Sequence, residues 1–118
     1  MLALALATGP ALACPLPGTP LQSGAVQLSW QAAPAVAVGQ HFSLHLQLCP
    51  ADAVLARVDA TMPEHRHGMN YRPTLTALGA GRWRADGLMF HMAGRWELRF
   101  DVQSAGQSVT LRDPVSVP

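Results

Sequence analysis

Five histidines and five methionines occur in this chain of 118 residues, and they are gathered rather than spread. The run Met62-Pro-Glu-His65-Arg-His67-Gly-Met69 holds four of them in eight positions, and Met89-Phe-His91-Met92 holds three more in four. Neutral imidazole suits copper and zinc, whereas a thioether is a soft donor that selects Cu(I) and adds little to zinc, calcium or magnesium binding. A mixed His/Met set therefore points to copper. About twenty residues with two turn signals separate the runs, enough for two short strands to go out and return, so both runs can meet at one end of a β-structure. In an extended chain residues 65, 67 and 69 project to one side, while His91 and Met92 project to opposite sides unless the backbone turns there. Pro63, Gly68 and Gly94 allow such turning. The candidate metal ligands are His65, His67, Met69, His91 and Met92, and the reading depends most on His67 and His91.

Each of these residue types also has an ordinary structural use. Met62 and Met89 have aliphatic neighbours, and Met62 falls on the inward register of its strand, so both are expected in the core. Met69 and Met92 stand beside glycine or histidine in expected loops, where a flexible apolar side chain gains less from packing. His41 and His45 fall on the outward phase of a regular strand and are expected in solvent, and His65 can face solvent while its neighbour faces inward. Glu64 either fixes the tautomer of a ligand imidazole or is a surface charge. Arg66, Arg72, Arg82 and Arg84 read as solvated or paired with Asp86 and Glu97, and Trp83 and Trp96 as core. No serine sits in a nucleophile elbow and no carboxylate pair stands out as acid and base, which argues against an enzyme.

The elements that must position these residues show a period of two. Val26, Leu28 and Trp30 alternate with polar neighbours, as do Phe42, Leu44, Leu46 and Leu48, then Val58, Ala60 and Met62, then Trp96, Leu98, Phe100 and Val102. Val109 and Leu111 mark a terminal strand. Turns are expected at Gly39-Gln40, Gly79-Ala80-Gly81, Asp86-Gly87, Gly94 and Ala105-Gly106, with Asp-Gly favouring a hairpin. Residues 51–55 alone could make a helical turn. Seven or eight short strands with no helical period predict an all-β, antiparallel, immunoglobulin-like sandwich.

Composition narrows the function classes. With 49% hydrophobic and 13% charged residues, the chain suits one compact domain, and a formal net charge of +1 offers no broad basic surface for nucleic acid or anionic lipid. Residues 1–13 are apolar, break at Gly9-Pro10 and end Ala11-Leu12-Ala13, which is the anatomy of a cleaved secretory signal without its charged leading segment. A lipoprotein signal with Cys14 as the anchor is the neighbouring reading. Residues 14–118 form the expected single domain, with an irregular lead-in over 15–24, and no stretch is long enough to span a bilayer. Cys14 and Cys49 are the only cysteines, and in an exported chain they are expected as a disulfide rather than as soft metal ligands.

Met-Pro-Glu-His-Arg-His-Gly-Met-Asn at 62–70, followed by Gly-Arg-Trp-Arg-Ala-Asp-Gly-Leu-Met-Phe-His-Met-Ala-Gly-Arg-Trp-Glu-Leu at 81–98, resembles the YtkA-like and FixH-like domains of bacterial exported or membrane-anchored proteins. The resemblance covers roughly residues 40–112. It implies an immunoglobulin-like sandwich associated with copper handling or cytochrome oxidase assembly, with metal-site candidates at His65, His67, Met69, His91 and Met92. Arg66 departs from the smaller residue common there. Together these readings lead to the expectation of a periplasmic or secreted copper-binding module, a chaperone or buffer without turnover. Its partners would be copper and a copper-donating or copper-accepting protein. The alternatives are an interaction module with incidental histidines, a zinc domain using only the histidines, and a copper oxidase or monooxygenase.

Overall fold

Alternating apolar residues form a strand when one face has a partner sheet to pack against, and most of the nine strands among the described residues do so. The computed structural model describes Cys14 and residues 16–118; the expected signal over 1–13 lies outside the described residues. The strands are β1 (Leu21–Ser23), β2 (Val26–Ala33), β3 (Phe42–Cys49), β4 (Val54–Met62), β5 (His67–Gly68), β6 (Thr74–Gly79), β7 (Arg82–Leu88), β8 (Gly94–Ser104) and β9 (Gln107–Val117). They build an antiparallel five-stranded sheet in the order β1-β2-β3-β7-β6 and an antiparallel four-stranded sheet in the order β5-β4-β8-β9. With the short β1 and β5 set aside, β2-β3-β7-β6 facing β4-β8-β9 is the ABED and CFG arrangement of an immunoglobulin-like sandwich. The described residues contain no helix.

The core consists of the inward phase of each strand. Leu28, Phe42, Leu44, Leu46 and Leu48 of one sheet meet Leu55, Val58, Ala60, Met62, Trp96, Leu98, Phe100 and Val102 of the other, all buried. Toward one rim this core becomes aromatic: Phe42 and Phe90 have ring centroids 5.1 Å apart, and Phe90 and Trp96 4.8 Å. Trp30 on β2 donates its indole N–H to Asp113 on β9 at 2.9 Å, tying the two sheets together at one side. Cys14 and Cys49 are bonded, so the lead-in is fastened to the end of β3. On the chain-entropy view, a loop of this length contributes roughly 3.8 kcal/mol.

Three local expectations are corrected. Residues 51–55 make no helix: Ala53 N donates to Pro50 O at 3.0 Å to close one turn, and Val54 and Leu55 already belong to β4, paired with Gln103 and Val102. Asp86-Gly87 is not a hairpin turn but lies within β7, where the register to β3 shifts between Phe42 and Leu44. Gly87 takes a positive φ of 87° there, which fits a bulge, and the Asp86 carboxylate accepts from Ser43 Oγ at 2.6 Å and Arg84 Nε at 2.8 Å. The Ser43 bond foremost, with Arg84, holds the Asp86 carboxyl below its ordinary range. The lead-in over 15–24 contains β1, whose Leu21 pairs with Leu28. That strand and the two-residue β5 raise the count to nine; three- and two-residue strands are too short to carry an alternation signal.

The β6–β7 turn is packed against the end of β3. Gly81 is buried at φ +77°, and Leu48 N donates to its carbonyl at 2.7 Å. A Cβ there would stand 2.5 Å from Leu48 O and 2.8 Å from Gln47 Nε2, whereas at Gly24, also at positive φ, it would meet nothing within 4 Å. Gly81→Ala is expected to lower the unfolding free energy by about 2 kcal/mol or more, and Gly24→Ala by about 1 kcal/mol. Urea denaturation of the two variants checks this, and equal losses would show that the contact with β3 is not what makes Gly81 special.

Candidate metal centre

The first His/Met run is placed by a short hairpin. At the end of β4, Met62 pairs with His67 and Thr61 with Gly68, and Met69 N donates to Ala60 O at 3.1 Å. Residues directly opposite in an antiparallel pair share a face. Met62 and Ala60 face inward and are buried, so His67 and Met69 are carried on the core side of the sheet at its rim. Residues 63–66 form the turn: His65 N donates to Met62 O at 3.2 Å, and Arg66 has a positive φ of 52°. Residues 67 and 69 therefore keep the common side expected of an extended run, while His65 belongs to the turn and not to that run. Its ring nevertheless stacks beside His67, with centroids 6.2 Å apart and an interplanar angle of 27°.

The second run lies in the connection from β7 to β8. Phe90 is fully buried and its carbonyl accepts from Gly39 N at 2.8 Å. Met92 is exposed, but its carbonyl accepts the indole N–H of buried Trp96 at 3.0 Å. Between these two fastenings His91 is half-buried, its ring edge-on to Trp96 at 5.4 Å and edge-on to His67 at 6.4 Å. The two runs also approach through Met62, whose Cε would stand 2.9 Å from a Cβ at Gly94.

His91 Nδ1 is buried and has no hydrogen-bond partner among the described residues. A neutral imidazole nitrogen is either a donor or an acceptor, and leaving it unpaired in the interior costs about 1–3 kcal/mol. Metal–imidazole bonds are about 2.0–2.1 Å, so two imidazoles on opposite sides of one ion have centroids roughly 6 Å apart. The 6.4 Å between the His67 and His91 centroids, with the rings edge-on at 82°, is comparable to that span. Among the described residues no three His, Cys, Asp or Glu side chains stand together as a ready-made metal group.

The other candidates separate clearly. Met69 is half-buried against the core and also lines an open cleft of about 570 Å³ together with Arg57, Asp59, Tyr71 and Arg72. Met62 is core, as expected, and Met89 is half-buried. His41 and His45 are exposed; His41 meets Tyr71 edge-on at 5.1 Å, and His45 pairs across the strands with Arg84. Glu64 is exposed, and among the described residues no hydrogen bond joins it to an imidazole. Arg84 is paired with Asp86, as expected, and Glu97 with Arg112 at 3.6 Å. Sequence reasoning missed the fastening of Met92 by Trp96, for which the only signal is a tryptophan four residues beyond a methionine at a turn.

No family model, curated protein or solved structure matches this chain.

The unpaired Nδ1 generates a prediction that needs no metal. His91→Phe, which keeps an aromatic ring against Trp96 but removes the nitrogen, is expected to leave the metal-free chain as stable as before or more stable by about 1 kcal/mol. Thermal and urea unfolding in the presence of chelator measure this, and a marked destabilisation would mean that the nitrogen has a partner after all.

Proposed function

We propose that this chain is an exported copper-binding protein, a chaperone or buffering module of the periplasm without catalytic turnover. His67 and His91 hold the ion, His65 is within reach as a third imidazole, and Met92 and Met69 are the thioether donors. The observation that carries this reading is the meeting of His67 and His91 at one rim, with a buried imidazole nitrogen of His91 left without a protein partner. The Cys14–Cys49 disulfide supports export, since such bonds persist in oxidising compartments, and residues 1–13 act in this reading as the cleaved signal. The resemblance of the two His/Met runs to YtkA-like and FixH-like domains agrees with it. The bound ion would supply a charge-accepting centre exchangeable with a copper donor or acceptor, and an exposed His65 and Met92 leave it accessible.

The succession of rings His65, His67 and His91 favours a second reading, a zinc site using histidines alone. The two differ in their need for sulfur. In the copper reading, Met69→Ala and Met92→Ala together weaken Cu(I) binding and leave Zn(II) binding unchanged.

His67→Ala and His91→Ala are each expected to weaken copper binding by about tenfold or more, with the circular dichroism of the sandwich preserved, whereas His45→Ala changes nothing. Chelator competition with Cu(I) and Cu(II) at one equivalent reads this. Retained affinity in both variants would remove the copper reading, and loss of fold in both would mean that core residues have been taken for ligands.

A further inference from the structure

Resting on the copper reading, we infer that Trp96 is a positioning residue for the metal centre: by holding the Met92 carbonyl and abutting the His91 ring, it makes His91 the fixed side of the site. Three observations converge on it. Trp96 is fully buried on β8, the strand between β4 and β9, so its indole cannot shift without disturbing the core. Its Nε1–H donates to Met92 O at 3.0 Å, and a buried indole N–H without an acceptor is costly, so the bond constrains the backbone at the residue that follows His91. Its ring lies edge-on to the His91 imidazole at 5.4 Å and is backed by Phe90 at 4.8 Å, which limits rotation of the histidine.

The opposite side of the site has no such brace. His65 and His67 are exposed and ride on a four-residue turn and a two-residue strand. The centre is therefore asymmetric. A copper ion meets one imidazole whose orientation is set in advance and others that close onto it, so most of the ordering cost on the His91 side is removed before binding. Groups that orient a ligand without touching the metal typically change affinity by about 10–100-fold.

The test compares Trp96→Phe with Phe100→Leu in the full chain. Both alter fully buried aromatic side chains of β8, but Phe100 lies four residues from Trp96 and outside the rim. Trp96→Phe retains a ring and loses the N–H. It is expected to weaken Cu(I) affinity by about tenfold and to change the electron paramagnetic resonance spectrum of the Cu(II) form. Phe100→Leu is expected to lower stability while leaving both copper readouts as in the parent chain. Replacing Trp96 by benzothienylalanine, which keeps the bicyclic shape without the N–H, guards against simple misfolding of the phenylalanine variant and should reproduce its loss of affinity. If Trp96→Phe and benzothienylalanine bind copper as the parent does, or if Phe100→Leu loses affinity equally, the positioning role is overturned while the copper reading stands. If the parent chain takes up no copper, both fall.

Discussion

A tryptophan sealed in the core of a sandwich must still place one polar hydrogen, and Trp96 places it on the carbonyl of Met92. That bond joins the buried aromatic cluster to a rim connection whose other internal hold is buried Phe90, with its carbonyl bonded to Gly39 N. Phe42, Phe90 and Trp96 pack in sequence, and the next ring in line is His91. The rim is thus an extension of the core in which the last aromatic side chain carries nitrogens. Such a position is unfavourable for a histidine that has nothing to bind, because the apolar surroundings penalise an unpaired nitrogen. Its presence there makes sense if something outside the chain completes it.

The second half of the rim depends on register. Because Met62 pairs with His67, and Met62 faces inward, His67 must be on the core side of its strand. A slip of one residue would turn His67 outward and bring Arg66 in. The hairpin that prevents this is short, closed by a left-handed Arg66 and a bond from His65 N to Met62 O. One side of this rim is therefore set by side-chain packing and the other by backbone pairing, with His91 half-buried and His67 exposed.

Much of this was legible from the residues. The alternation at 26–30, 42–48, 58–62 and 96–102 specified the strands because each buries one face, and the same alternation put Met62 inside and His41 and His45 outside. The separation of the two His/Met runs allowed them to meet, although of the two turns expected between them only the one at 79–81 is a turn. What could not be read depended on contacts distant in the chain. Asp86-Gly87 carries the same local signal whether it turns or bulges, and only its pairing with β3 selects the bulge. Residues 51–55 leave a helical turn open locally, but pairing with β8 takes Val54 and Leu55 into the sheet, where Leu55 is buried. Met69 looked like a loop residue because the two-residue β5 is too brief to show a period, yet its pairing with Ala60 carries it against the core. The hold of Trp96 on Met92 leaves only a faint trace, a tryptophan four residues beyond a methionine at a turn.

In the copper reading, two imidazoles from separate runs share one ion at this rim. Long-range proton–nitrogen correlation spectra of the histidine rings, recorded before and after one equivalent of Cu(I), address it directly. A shared ion produces large nitrogen shifts at His67 and His91 together, at matching stoichiometry, with His41 and His45 unmoved. Shifts confined to one of the pair, or spread evenly over all five histidines, would contradict it.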